Sequence, residues 1–173
     1  PEGAVITLTG DGTTLKARNL DGTMFQVDGS LTLEGSLNIR CDKANSVFTV
    51  NGELTMNGGV VSGFTAAKGS TGAVDVYGTF TMNDGSITGS NFTGYQCAAV
   101  RVEDGGQFLM NGGSISDNVT SGQYSAGGVL VLEGGTFTME NGEISRNKGH
   151  RGAGVLLYGG VVNDGENIAR FTM

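Results

Sequence analysis

Phe108-Leu-Met-Asn-Gly-Gly-Ser-Ile115 is one of four near-copies of a single phrase. The others are Leu54-Thr-Met-Asn-Gly-Gly-Val-Val61, Phe80-Thr-Met-Asn-Asp-Gly-Ser-Ile87 and Phe137-Thr-Met-Glu-Asn-Gly-Glu-Ile144. Their methionines fall at 56, 82, 110 and 139, spacings of 26, 28 and 29 residues. A repeat of this length is one supersecondary unit that cannot bury its own apolar face and must stack on its neighbours.

The unit extends on both sides of the phrase. A Val-x-Val pair precedes it in Val74-Asp-Val76, Val100-Arg-Val102 and Val129-Leu-Val131. Phe25-Gln-Val27, Phe48-Thr-Val50 and Val155-Leu-Leu157 fit the same slot. A glycine turn follows, then the Phe-Thr-Met strand, an Asn/Asp/Gly turn and a third short strand. Val60-Val-Ser62, Ser86-Ile-Thr88, Ser114-Ile-Ser116 and Glu143-Ile-Ser145 fill that third slot. Apolar and polar residues alternate within each strand, the period-2 signature, and no stretch has helical periodicity.

Three short strands per turn with glycines at the corners predict an all-β, right-handed parallel β-helix of six to seven turns. At about 4.8 Å per stacked strand this is a rod on the order of 30 Å long. Four inward columns are expected. They are Val27/Val50/Val76/Val102/Val131/Leu157, Leu31/Leu54/Phe80/Phe108/Phe137, Leu33/Met56/Met82/Met110/Met139 and Val61/Ile87/Ile115/Ile144. The methionine column is core filler. The chain reads as one domain and as a piece of a longer protein. Residues 1–21 form a degenerate capping turn built on Val5-Ile-Thr-Leu8 and Leu15-Lys-Ala17, 22–160 hold the regular repeats, and 161–173 begin an incomplete turn at Phe171-Thr-Met173.

Gly127-Gly-Val-Leu-Val-Leu-Glu-Gly-Gly-Thr-Phe-Thr-Met-Glu-Asn-Gly-Glu-Ile-Ser-Arg-Asn147 resembles the repeats of bacterial surface-exposed right-handed β-helix proteins. These belong to the broad pectate-lyase-like superfamily and include adhesin-like repeats. The resemblance covers roughly residues 22–160. It implies a secreted or cell-surface location. Its activities range over lyases, hydrolases, adhesins and spacers, so function has to be read from the positions that break the repeat.

Composition narrows the choice. Net charge is −7, and the ten basic residues look scattered along the chain, so a nucleic-acid or membrane-binding surface is not expected. No apolar run approaches transmembrane length and no signal peptide is present. Cys41 and Cys97 sit about two turns apart, roughly 10 Å by strand spacing, too far for a disulfide. No cofactor or metal is expected. The Asp-Gly pairs at 11–12, 21–22, 28–29, 84–85, 104–105 and 164–165 occupy different register slots and read as turns. The calcium nonapeptide of β-rolls is missing.

Asn91, Asn118 and Asn147 are expected in one column after the third strand, and Asn57, Asn83 and Asn111 in another, broken by Glu140. Both suit backbone-satisfying turn residues. Thr32, Thr55, Thr81 and Thr138 form an outward rank interrupted by Leu109, one rank where an ice-binding face needs a Thr-x-Thr pair. His150, the only histidine, lies in a loop with Lys148 and Arg151.

Catalysis would be sought on the outward Val-x-Val face. Asp75 and Arg101 share a slot on adjacent turns, as do Tyr77 and Glu103, and a cross-strand ion pair accounts for the first two. No cluster of carboxylates with the spacing of a lyase or hydrolase is evident. Farther along, the same face carries Leu130, Leu132, Leu156 and Tyr158, an outward apolar patch that needs a following domain, a subunit or a ligand to cover it. Two variable loops, Phe92-Thr-Gly-Tyr-Gln96 and Val119-Thr-Ser-Gly-Gln-Tyr124, are expected to protrude from adjacent turns. Tyr95 and Tyr124, with Gln96 and Gln123, have the chemistry to stack on and hydrogen-bond a sugar.

The expectation is a non-catalytic cell-surface module, a stalk or an adhesin-like recognition surface for a glycan or host protein. The alternatives are a β-helix polysaccharide lyase or glycoside hydrolase, and a fragment of a self-assembling array.

Overall fold

A computed structural model describes residues 3–66, 71–95, 98–159 and 168–173. Among them every regular element is a β-strand and every strand pairing is parallel. The chain is a β-solenoid of six turns.

Each turn contributes to three ranks of strands. The Val-x-Val strands Thr23–Val27, Ser46–Val50, Gly72–Val76, Ala98–Val102, Val129–Leu132 and Val155–Tyr158 make a six-stranded sheet. The Phe-Thr-Met strands stack seven deep, from Val5–Gly10 to Arg170–Thr172. The third rank runs from Thr14–Arg18 through Asn38–Ala44 to Ser114–Ser116 and Glu143–Ser145. In Glu53–Ala66 and Thr79–Thr88 the chain passes from second to third rank within one strand, with a register irregularity near Asn57.

All four expected columns are present in register. Val27, Val50, Val76, Val102, Val131 and Leu157 are successive Cα partners. The phenylalanines of the second column stack face to face. Phe80–Phe108, Phe108–Phe137 and Phe137–Phe171 centroids are 4.8, 4.7 and 4.9 Å apart, with interplanar angles of 6°, 8° and 14°. Those separations equal the spacing of paired strands, so the backbone ladder sets the ring stack. Each ring buries roughly 1.5–3 kcal/mol of apolar side chain, and the aromatic contact adds about 0.5–1.5 kcal/mol. Phe171-Thr-Met173 does continue the repeat, since Phe171 pairs with Phe137. Leu157 keeps its register but is 47% exposed, and Val5, Ile6 and Met173 are exposed as well, so the columns are least covered in the first and last turns.

The corner after the third strand is a left-handed bend, two residues beyond the inward Val or Ile. Gly63 and Gly89 hold it with φ of 62° and 66°; Asp117 and Arg146 hold it with 58° and 53°. Only glycine adopts this region without crowding its Cβ. At the two non-glycine corners the side chains pair, Arg146 Nη2 donating to Asp117 Oδ2 at 2.8 Å.

Two expectations about this corner need correction. The inward polar column is Ser90, Asn118 and Asn147, whereas Asn91 is exposed and pairs with Thr65 and Val119. Ser90 follows Ile87 by three residues just as Asn118 follows Ile115, so Ser90 holds the Asn118 slot, and Asn91, four residues after Ile87, holds the slot of Val119. Phe92 belongs to the core and not to a protruding loop: it is fully buried against Phe64, ring centroids 5.5 Å apart.

Candidate functional site

The outward face of the Val-x-Val sheet changes character along the rod. Gln26, Thr49, Asp75, Arg101, Leu130 and Leu156 are register partners in one outward column. The polar-to-apolar change expected from the sequence is therefore real, and its two halves behave differently.

In the polar half, Asp75 is only 5% exposed although it points away from the core. Its Oδ2 accepts a hydrogen bond from the Thr71 hydroxyl, and Oδ1 has no hydrogen-bond partner among the described residues. Burial pushes its pKa up to about 7, opposed by the Thr71 hydroxyl and the Arg101 charge. Asp75 and Arg101 are direct register partners, but the expected ion pair between them is not formed. Arg101 turns instead to Glu103, just past the end of its own strand, with Nε 2.9 Å from Oε1 and Nη2 donating to Oε2 at 3.4 Å. The Nε contact is too poorly aligned to count as a hydrogen bond, so both atoms stay unsatisfied. Burial raises the Glu103 carboxyl as well, against the pull of Arg101 and the Tyr77 hydroxyl. This cluster holds a carboxyl of raised pKa next to a cation, but a closed one: Asp75 and Glu103 are buried, and Tyr77 is the exposed member.

In the apolar half, Leu130 points outward as expected yet is fully buried. Its cover is the chain itself. Ala98 and Ala126 form a second small core with it, and Leu132, Leu156 and Tyr158 pack partly buried against that core. The loops of successive turns are fastened over it. Ala126 bridges to Gly152, Gly127 N donates to Gly152 O at 2.9 Å, and Arg151 N donates to Ser125 O at 3.1 Å.

The loop tyrosines converge above this cover. The Tyr95 and Tyr124 rings are 5.3 Å apart, and Tyr124 meets Tyr158 edge-on at 5.5 Å. The Arg151 guanidinium carbon lies 3.8 Å over the Tyr124 ring, a cation–π contact. A hydrogen bond with Tyr158, then burial, raises the Tyr95 phenol above its ordinary value. Tyr124 takes a left-handed φ of 55° and is half-buried, between exposed Gln123 and buried Ser125. Tyr95 stays 56% exposed, and Gln123 and Arg151 are exposed beside it. The structure thus brings together Tyr95, Tyr124 and Tyr158 with Arg151, a residue the sequence placed only in a solvated loop. Gln96 and Cys97 lie outside the described residues, as does the Asp164-Gly165 pair; Cys41 is buried and free. His150 is exposed.

Among the described residues no three His, Cys, Asp or Glu side chains converge as metal ligands would, and no helix is long and apolar enough to cross a membrane. Comparison with protein-family models, curated proteins and solved structures returned no match to this chain.

Proposed function

We propose that this chain is a non-catalytic recognition module of a secreted or cell-surface protein of the bacterial β-helix kind, and that its ligand is a glycan. The observation that carries the reading is the exposed Tyr95 ring held against Tyr124, with Arg151 across the Tyr124 face. Aromatic faces take the apolar side of a pyranose ring, and Arg and Gln supply hydrogen-bond donors at its edge. The loops carrying Tyr124 and Arg151 are hydrogen-bonded to each other over a buried apolar base, so they have little conformational entropy left to lose on binding. The carboxylates on the same face are closed from solvent, which favours binding over hydrolysis or elimination at that cluster. The solenoid beneath serves as a stiff support for this patch.

A glycan-array screen followed by titration of the best oligosaccharide tests the reading. Tyr95→Ala and Gln123→Ala should each weaken binding while leaving the unfolding transition in place. No bound glycan in a broad neutral and acidic panel, or a hit that both variants bind like the parent, would refute it.

A further inference from the structure

The sequence offers no run of basic residues, but stacking creates one. Lys16 and Arg40, 24 residues apart, are direct Cα partners on the third rank of strands, and both side chains are exposed on the outward face. Arg18, two residues along, shares that face and is also exposed. Lys16 and Arg40 are like charges set directly opposite each other, an arrangement that weakens a sheet. In a chain of net charge −7, acidic residues are abundant enough to neutralise them, yet none of the three forms an ion pair among the described residues.

The three cations line a groove of about 290 Å3, together with Asp42, Gly63 and Thr65. Asp42, the one carboxylate there, is engaged: it accepts a hydrogen bond from the Thr65 hydroxyl. The Arg40 guanidinium lies across the bend at Gly63, where Nη2 is 3.2 Å from the position a Cβ would take. A side chain at 63 would therefore crowd the guanidinium, and its φ of 62° disfavours one independently. Three cations and one carboxylate leave a formal local charge of 3 − 1 = +2 on the groove.

We propose that Lys16, Arg18 and Arg40 form a binding site for a doubly charged tetrahedral oxyanion, a phosphate or sulfate group, free or as an ester. Two guanidinium forks and an ammonium present donors to such a group from adjacent strands, and Arg–oxyanion pairs are short and charge-assisted. Bound anion would also relieve the Lys16–Arg40 repulsion. The site stands on a different face from the tyrosine patch and does not depend on the glycan reading.

The test is thermal unfolding and ¹⁵N-amide titration of the whole chain with inorganic phosphate, inorganic sulfate, glucose 6-phosphate and glucose 6-sulfate at low ionic strength. Saturable binding is expected, with shifts confined to residues 16–18, 38–43 and 62–65 and a midpoint that rises with anion. The two inorganic ions against the two esters separate free ion from ester as the source. Arg40→Gln should weaken binding by at least about tenfold, the equivalent of one charge-assisted bond. Lys16→Gln should raise the midpoint without anion and abolish most of the anion-dependent rise. Non-saturating shifts spread over the surface, or binding unchanged in Arg40→Gln, would overturn the proposal. So would a lowered anion-free midpoint in Lys16→Gln, because the opposed cations would then be serving stability.

Discussion

Arg101 pairs with Glu103, just past the end of its own strand, and leaves Asp75, its direct register partner on the previous turn, without an ion pair. Strand pairing fixed the two backbones opposite each other, and the side chains then chose a neighbour that the sequence offers equally well. The consequence is a buried carboxyl whose ionised form is poorly compensated.

That carboxyl links stability to pH. Its folded pKa is raised from 3.8 to about 7 by burial. Between those values the unfolded chain has released the proton while the folded chain keeps it. Stability from this group therefore falls as pH rises from about 4 to about 7, and is level above that. Asp75→Asn should remove the slope and be more stable than the parent at pH 8, on the order of 1–3 kcal/mol. Urea midpoints across pH 4–8 check this. The parent-minus-variant difference should grow through that window, and a constant difference would be inconsistent with the assigned burial.

The two asparagine ladders should respond unequally to truncation. Asn118 is fully buried; its Nδ2 donates to Ile87 O and Asn147 Oδ1, and its Oδ1 accepts from Ser90 N. Asn118→Ala strands those groups away from water and should cost about 2–3 kcal/mol or more. Asn83 joins Asn57 and Asn111 by amide hydrogen bonds of 2.8 Å, but on the exposed side. There water replaces the lost bonds, and Asn83→Ala should change stability by less than about 0.5 kcal/mol. Chemical denaturation of both variants gives the comparison, and similar losses would contradict it.

Glycine is required where successive turns touch at a corner. A Cβ on Gly78 would lie 2.2 Å from Gly52 O, and backbone cannot yield as a side-chain tip does. Gly78→Ala should destabilise by roughly 1–3 kcal/mol through forced separation of two turns. Gly22, with nothing within 4 Å and no left-handed φ, should accept alanine within about 0.5 kcal/mol. Thermal midpoints of the two variants suffice, and equal shifts would count against the corner contact.

How much of this was legible beforehand depended on whether an amino acid repeats. The Phe, Met, Val and Ile columns were readable because the same residue recurs at one register, and a strand's two-residue period leaves no choice of face. Matching by residue type failed where the repeated amino acid changes. Counted from the third-strand isoleucine, Ser90 holds the slot of Asn118, and Asn91 is an asparagine one position further on. Phe92 reads as loop text because the ring it packs against, Phe64, lies outside any repeated phrase. Leu130 was rightly read as outward, but only the folded loops reveal that Ala98 and Ala126 cover it. The grouping of Lys16, Arg18 and Arg40 was hidden for another reason: proximity in a solenoid follows the turn length, and a count of neighbours along the chain does not register a 24-residue offset.

The recognition claim rests on three of the chain's four tyrosines. Selective ring labelling of tyrosine gives a spectrum with one set of signals each for Tyr77, Tyr95, Tyr124 and Tyr158. On titration with the tightest-binding oligosaccharide from the array, the account predicts saturable shifts of Tyr95 and Tyr124, a smaller one of Tyr158, and none of Tyr77 beside Glu103. Saturable binding that leaves the Tyr95 and Tyr124 signals unmoved would place the ligand elsewhere and contradict the account.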